Sequence, residues 1–320
     1  MRFIGRRLAL FLLTLWAALT LNFIIPRLMP GDAAIAMWSH IHNATPEQLK
    51  ALEAEFGTAD QNPVLAYLAY LGNALTLNFG VTTDQVPVMT KIMQGLPWTI
   101  GLVGVSTVIA FALGTLLGMY GAWRRGSWTD NLISPLLFIV TTLPVFFLGL
   151  VMLLAFGVAL HWFPLNEPYS SAPTLTLQSA GDIAYHAFLP ALTLVLAAAG
   201  GWIYTMRNNM IATLSEDYVR MARAKGLSSW RIMTSYSARN AILPNLTGFA
   251  MSMGFILGGS ILIEYIYSYQ GLGYLFYTGT ESRDLPLQQA LFLFYTLAVL
   301  VFVLLADLLT AWLDPRTREA

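Results

Sequence analysis

Residues 8–25 of the chain read LALFLLTLWAALTLNFII, an apolar run without a charged side chain. A helix of about 18 residues, rising ~1.5 Å per residue, nearly crosses the ~30 Å hydrocarbon core of a bilayer. Arg2, Arg6 and Arg7 precede the run, as basic residues do in a signal peptide, but no small-x-small cleavage motif closes it. The run therefore predicts a retained first transmembrane helix.

Five further stretches are apolar and long, so we expect an all-α membrane protein with six transmembrane helices. Pro135 and Pro144 lie in the third stretch, and Pro144 could divide it into two segments. The predicted spans are residues 8–28, 97–122, 131–160, 187–206, 246–266 and 288–312.

The composition agrees with a chain that is solvated mostly by lipid. Of the 320 residues, 57% are hydrophobic and only 11% are charged, whereas a soluble domain carries about a quarter charged residues. The net charge of zero argues against nucleic-acid binding. Because the chain has no cysteine, a disulfide framework, a thiolate zinc site and a cysteine nucleophile are all excluded.

Positive charge is distributed unevenly among the connections between spans. Lys and Arg resist translocation and therefore gather on the cytoplasmic side of a membrane protein. Alternate connections and both chain ends hold most of the 17 basic residues, so both termini are predicted to be cytoplasmic. The basic residues on this side are Arg2, Arg6, Arg7, Arg124, Arg125, Arg207, Arg220, Arg223, Lys225, Arg231, Arg239, Arg316 and Arg318.

The connection at residues 29–96 has helical patterns of its own. Thr45-Pro46-Glu47-Gln48 is typical of a helix start, with Thr45 as the N-cap. The apolar run Val64–Leu77 is too short to span comfortably and predicts a helix on the bundle or on the membrane surface. We expect three parts: a first transmembrane helix (1–28), an extracytoplasmic cap with amphipathic helices (29–96), and a five-helix core (97–320) that includes the connection at 206–245.

Two pairs of glycines lie four residues apart within predicted spans, Gly114 with Gly118 and Gly254 with Gly258. Small residues at this spacing let helix backbones approach closely in lipid. We interpret both pairs as packing contacts rather than as parts of a solute pathway.

The connection between the fourth and fifth spans is long, polar and basic, yet its pattern is helical. Residues 216–226 predict a short helix with acidic residues near its start and Arg223 and Lys225 near its end, as the helix dipole favours. Gly226 is placed to end this helix in a left-handed conformation. The residues alone leave two interpretations open: an arm that docks in a cleft of another protein, or a basic loop that merely obeys the topology rule.

Three ordered motifs lie in this connection: Asp217-Tyr218-Val219-Arg220, then Ala222-Arg223-Ala224-Lys225-Gly226-Leu227, then Arg239-Asn240-Ala241-Ile242-Leu243-Pro244. They resemble the coupling-loop signature of the dipeptide/oligopeptide permease family, the inner-membrane components of ABC importers. Further similar landmarks cover nearly the whole chain: Arg27-Leu28-Met29-Pro30-Gly31-Asp32, Leu96-Pro97-Trp98-Thr99, Leu189-Pro190-Ala191-Leu192-Thr193, Gly271-Leu272-Gly273 and Leu313-Asp314-Pro315-Arg316.

The resemblance implies a type I ABC importer permease fold and the transport of a di/oligopeptide or a short oligosaccharide. The second solute class is included because Trp202 and Met206-Arg207-Asn208-Asn209-Met210 are similar to members of the family that carry oligosaccharides. The implied partners are a second homologous permease, an extracytoplasmic solute-binding protein and two cytoplasmic ATPase subunits.

ATP and Mg²⁺ are expected in the ATPase subunits, because this sequence contains no Gly-x-x-x-x-Gly-Lys-Ser/Thr phosphate loop. The chain is therefore expected to be a transport subunit rather than an enzyme, with no catalytic residue, metal or cofactor of its own. Trp202 is a candidate for the solute pathway, and the predicted ATPase-coupling residues are Glu216, Asp217, Tyr218, Arg220, Ala222, Arg223, Ala224, Lys225 and Gly226.

A few polar residues suggest other chemistry but have simpler interpretations. Asp307 lies inside a predicted span, and we expect it to pair with an Arg or a helix end rather than to relay protons. Glu264 is expected to be an interfacial acid rather than a gate, and Trp202 to pack between helices rather than stack on a solute. His40 and His42 are expected to be solvated loop residues rather than a metal pair.

Two other classes of protein are alternatives. An ion-coupled secondary transporter would need internal repeats and polar groups near the membrane midplane, and the sequence offers almost none. An intramembrane hydrolase could use Ser106, Ser134 or Ser260 as a nucleophile, but no histidine lies in a predicted span to serve as the base.

Overall fold

The computed structural model of the chain describes residues 2–28, 38, 45–47, 50, 62–165, 167–256, 258 and 260–313. These residues are mostly helical and form no named β-strand. The helices, numbered in chain order, are α1 (Arg2–Leu28), α2 (Pro63–Leu75), α3 (Val88–Trp123), α4 (Asp130–Thr141), α5 (Val145–Ala159), α6 (Leu177–Leu214), α7 (Asp217–Ala224), α8 (residues 229–254), α9 (Ile261–Ile266), α10 (Leu272–Glu281) and α11 (Leu285–Leu313).

Within the described residues, four helices are long and apolar enough to cross a membrane: α1, α3, α6 and α11. The helices α4 and α5 meet at 106° and would together make a fifth crossing. Pro144 precedes α5 with φ −54° and ψ 130°, an extended conformation that a helix cannot continue through. The predicted division of the third span at Pro144 is therefore confirmed.

The segment of the fifth predicted span, 246–266, is not one uninterrupted helix. α8 ends at Gly254, where the amides of Phe255 and Ile256 donate to carbonyls three residues back, at 3.1 and 3.3 Å. α9 begins only at Ile261. Glycine is a poor helix former, and Gly254 and Gly258 both lie at this interruption.

The first and last helices lie side by side and run in opposite directions. Near one end, the guanidinium of Arg7 pairs with the carboxylate of Asp307 at 2.5 Å. Near the other end, the Asn22 and Gln289 side-chain amides each donate to the other residue's backbone carbonyl, at 2.8 and 3.0 Å. The expectation that Asp307 pairs with an arginine is confirmed. The start of α1 and the end of α11 therefore lie at the same end of the bundle.

The helices α3 and α6 pack closely because α3 carries glycine where the backbones meet. A Cβ atom at Gly118 would lie 2.5 Å from the carbonyl oxygen of Ile203, and one at Gly114 would lie 2.8 Å from that of Ala199. A Cβ atom at Gly254 would likewise lie 3.0 Å from the Cα of Val299 on α11. Of the four glycines predicted to mediate helix packing, Gly114, Gly118 and Gly254 therefore do so.

The described part of the connection at 29–96 packs against the bundle. The rings of Tyr67 and Tyr70 on α2 contact Phe23 of α1 with centroids 5.1 and 5.5 Å apart. Further along, Thr83 donates its amide and its hydroxyl to the carboxylate of Asp284, at 2.8 and 3.2 Å. Burial raises the pKa of Asp284. The helix predicted from Thr45-Pro46-Glu47-Gln48 lies largely outside the described residues.

Candidate functional site

The predicted coupling residues lie together on and around α7, a short helix that follows α6 after a two-residue turn. Glu216 precedes α7 in an extended conformation, and Asp217 occupies its first turn. Arg223 lies in the last turn. Negative charge at the start and positive charge at the end both stabilise the helix dipole, so the local sequence favours a helix here even though it has only eight residues.

The end of α7 is set by Gly226, which has φ +71°. The amide of Leu227 donates to the carbonyl of Ala222 at 3.3 Å, and that of Gly226 donates to Arg223 at 2.9 Å. This pair of bonds is the Schellman arrangement, in which a left-handed residue satisfies the free carbonyls at a helix end. The predicted left-handed ending at Gly226 is therefore confirmed.

One face of α7 is fixed on the chain itself. Val219 and Ala222 are buried, with 0% and 2% of their surface exposed, and they pack against Ile232 of α8. The hydroxyl of Tyr218 also accepts a hydrogen bond from the Asn240 amide at 2.9 Å. Ala222, one of the predicted coupling residues, therefore faces the interior of the arm, and its small size serves packing within this chain.

The opposite face of α7 is exposed and carries both charge and apolar surface. Met221 is 60% exposed, and Trp230 at the start of α8 is 71% exposed. Around them lie exposed basic side chains and the small Ala224: Arg220, Arg223, Ala224, Lys225 and Arg231. We name the exposed residues of 217–231 the coupling surface. It carries both exposed apolar and exposed basic side chains, a composition suited to an acidic partner with apolar surface.

Two of the basic residues have weak contacts within the chain. Arg220 lies 3.4 Å from Asp217, with both side chains largely exposed, and the guanidinium of Arg223 lies 6.0 Å from the ring centre of Trp123. Exposed pairs of this kind contribute little stability. Both arginines therefore remain free to form stronger contacts with another protein.

The arm is continuous with the membrane bundle through α6. Arg207, near the end of α6, donates from Nε to Asp130 at the start of α4, at 2.6 Å. Asp130 also accepts from the Gly126 amide at 3.0 Å, and only 7% of its side chain is exposed. This ion pair joins α6, the helix that leads into the arm, directly to the start of the bent α4–α5 pair.

Sequence reasoning did not anticipate Met221, Trp230 or the Arg207–Asp130 pair. A partial signal existed for Met221: Val219 and Ala222 share one helix face at a three-residue spacing, and Met221 lies off that face. No local pattern predicts the ion pair, because its partners are 77 positions apart.

Trp202 lies on α6 among other helices. Its ring meets Phe111 of α3 edge-on, with centroids 5.3 Å apart, and a Cβ at Gly248 of α8 would lie 3.5 Å from it. Trp202 therefore packs between helices as expected, and its place in the solute pathway stays a prediction.

Glu264 is fully buried within the protein, a burial that the sequence did not predict. Its Oε1 accepts from the hydroxyls of Ser260 and Thr99 at 2.8 and 3.0 Å. Its Oε2 accepts from the amides of Gly273 and Tyr274 at 2.8 and 3.3 Å. The carboxylate thus caps the first turn of α10 and ties α9 and α10 to α3.

The other candidate residues do not assemble into a reactive site. The hydroxyl of Ser106 donates to the Leu102 carbonyl at 2.6 Å and that of Ser260 donates to Glu264, while the Ser134 side chain lies outside the described part. Among the described residues, no group of three or more His, Cys, Asp or Glu side chains could hold a metal. His40 and His42 lie outside those residues.

Comparisons with known proteins match most of the chain. A family described as "Binding-protein-dependent transport system inner membrane component" matches residues 114–319. The chain is 33% identical over 320 residues to a dipeptide transport system permease protein of Lactococcus lactis, covering 99% of each. It is 35% identical over 300 residues to an oligopeptide transport system permease protein of Bacillus subtilis, covering 92% of each. A putative peptide permease protein of Brucella ovis is 32% identical over 320 residues, again covering 99% of each.

Proposed function

Because the chain belongs to the family of binding-protein-dependent transport system inner membrane components, and is a multi-pass protein of the cytoplasmic membrane, we propose that it is the permease subunit of an ATP-driven peptide importer. The observation that carries the proposal is the coupling surface, an exposed basic and apolar face held rigidly at the end of the long helix α6. Peptide is favoured over oligosaccharide because the relatives are named as dipeptide, oligopeptide and peptide permeases.

The proposed topology has six crossings with both termini in the cytoplasm. The distribution of Lys and Arg supports it, and so does the pairing of Arg7 with Asp307, which brings the two ends of the chain together. The third crossing is the bent α4–α5 pair, and α8 with α9 forms an interrupted fifth. The coupling surface then faces the cytoplasm.

The proposed partners are a second homologous permease, an extracytoplasmic binding protein and two ATPase subunits that hold ATP and Mg²⁺. The helix α7 enters a groove on one ATPase, where Arg220, Arg223 and Lys225 meet acidic side chains and Met221 enters an apolar depression. Gly226 permits close approach of the partner's backbone. Since Val219 and Ala222 fix α7 to its own chain, closure of the ATPases moves the arm as a rigid body.

Double charge reversal tests the docking step. The chain carrying Arg223→Glu and Lys225→Glu is expressed with its ATPase and permease partners. It should co-purify with less than about a fifth of the ATPase that the unaltered chain binds, because the reversed charges repel the acidic side chains of the ATPase. The matched control makes the same change in another predicted cytoplasmic connection, at Arg124 and Arg125, which are also exposed. It should retain most of the ATPase. Unchanged co-purification and ATP-dependent uptake in the first variant would remove the proposed role of this surface.

The solute is tested by uptake into vesicles that contain the assembled complex. With the binding protein outside and ATP on the cytoplasmic face, labelled di- and oligopeptides should accumulate against their gradient, and short oligosaccharides should not. Accumulation driven by an ion gradient without ATP would instead support a secondary transporter.

A further inference from the structure

The helix α6 is much longer than a membrane crossing requires. Its 38 residues extend about 57 Å at ~1.5 Å per residue, against a hydrocarbon core of ~30 Å. The predicted span, residues 187–206, is long enough for the whole crossing. With that span in the hydrocarbon, the ten residues at 177–186 extend about 15 Å beyond it, past a headgroup layer of about 5–8 Å per side.

The loop before this extension is held in place by its own hydrogen bonds. Ser170 donates its amide and its hydroxyl to the carboxylate of Asp182, at 2.7 and 2.8 Å. Tyr185 donates its hydroxyl to the Trp162 carbonyl at 2.6 Å. These contacts join Trp162 and Ser170 to α6, so those parts of the loop are held before any partner binds.

Two leucines project from the end of this loop into solvent. Leu175 and Leu177 have relative exposures of 109% and 91%, the highest among the large hydrophobic residues of the described chain. Thr176 lies between them and caps α6, accepting from the Ser179 amide at 3.3 Å, and the Thr174 amide donates to the Ser179 hydroxyl at 3.1 Å. We name residues 175–177 the leucine tip. Its backbone is fixed, so two apolar side chains are presented to water in a defined direction.

With residues 187–206 as the crossing, the leucine tip lies beyond the headgroups and out of reach of lipid. The coupling surface lies at the opposite end of the same helix, so the tip faces the other side of the membrane. The family to which the chain belongs works with a binding protein, as its description states. A partner that approaches from outside meets the parts of the permease that extend furthest from the bilayer, whereas a second permease lies beside the chain at membrane depth.

We propose that the leucine tip is a docking contact for the extracytoplasmic binding protein, with Leu175 and Leu177 entering an apolar depression on its surface. The inference rests on the proposed function. Because the loop is already ordered, little conformational entropy is lost on binding. The helix α6 then joins the docked binding protein at one end to the ATPase arm at the other.

The first test measures ATP hydrolysis by the assembled complex as the concentration of solute-loaded binding protein is raised. Leu175→Ser with Leu177→Ser should raise the half-saturating concentration about tenfold or more, with the maximal rate retained. The matched control is Leu75→Ser with Leu77→Ser, a second exposed pair of leucines at the same spacing, in the 29–96 connection. It should leave the half-saturating concentration within twofold of the unaltered complex.

An unchanged half-saturating concentration in the tip variant would overturn the inference, as would an equal shift in the control. A lower maximal rate with unchanged half-saturation would also overturn it, because that result indicates a conformational role. If the unaltered complex shows neither stimulation by the binding protein nor ATP-driven uptake, the proposed function itself fails and the inference falls with it.

The second test uses the absence of native cysteine. A photoreactive group attached at Leu175→Cys in the purified complex should form an adduct with the added binding protein, identified by its mass, and the same group at Leu75→Cys should not. An adduct with the second permease alone, with lipid alone, or no adduct would each contradict docking at the tip.

Discussion

The buried carboxylate of Glu264 makes a quantitative prediction about stability. Removing it by Glu264→Ala leaves four donors without their acceptor. The Ser260 and Thr99 hydroxyls can rotate toward other acceptors, but the amides of Gly273 and Tyr274 are fixed by α10. A buried unsatisfied donor costs about 1–3 kcal/mol, so the two amides together cost about 2–6 kcal/mol.

The variant Glu264→Gln should lose less than half as much stability. Its side-chain carbonyl can still accept from the two amides, while its NH₂ group can donate to the hydroxyl oxygens of Ser260 and Thr99. The control is Glu281→Ala, because Glu281 ends α10, the helix that Glu264 caps, but is exposed. Its stability should change by less than about 0.5 kcal/mol.

Thermal unfolding of the purified chain, followed by loss of the monodisperse species, measures the three variants side by side. At about 2 °C per kcal/mol for a chain of this size, Glu264→Ala should lower the midpoint by about 4–12 °C. Equal losses for Ala and Gln at this position would refute the reasoning, because they would show that the acceptor for the amides is not what stabilises this junction. A midpoint for Glu264→Ala within 1 °C of the unaltered chain would refute it as well.

Three further predictions concern the contacts between helices. Gly118→Ala should destabilise the chain by more than about 2 kcal/mol and lower its yield in membranes, because a Cβ there meets the backbone of α6. Asp130→Asn should lower stability by about 1–3 kcal/mol, since the Asp130–Arg207 pair is only partly buried. The same variant should lower the number of solute molecules transported per ATP hydrolysed. An unchanged number would argue against mechanical coupling through this pair. Asp307→Asn should cost less than about 1 kcal/mol, because its pair with an arginine is half exposed, and uptake should keep its dependence on external pH, whereas a proton relay would alter it.

Local signals in the sequence were sufficient for several features of the fold. The left-handed ending at Gly226 follows from its place after a basic helical turn, and the structure gives it φ +71°. The break at Pro144 and the close approach at Gly114 and Gly118 follow from the intrinsic geometry of proline and glycine. Such features depend on one residue or one turn of helix, so a single sequence contains them.

What the sequence did not predict depends on contacts between distant segments. Residues 246–266 are apolar enough for a span, yet the helix ends at Gly254. The burial of Glu264 was not predicted, and Thr99, which bonds to it, is 165 positions away. Local hydrophobicity carries no information about such a partner.

The sequence by itself determined that this chain is a membrane protein, because the transfer of long apolar runs from water to lipid depends on composition and length alone. It also determined the short arm at 216–226, because capping and the helix dipole act over a few residues. Only the tertiary structure decided which face of the arm is exposed, what surrounds Glu264, and that Arg207 meets Asp130. Those properties depend on which helices become neighbours, and that is set by packing between residues that are far apart in sequence.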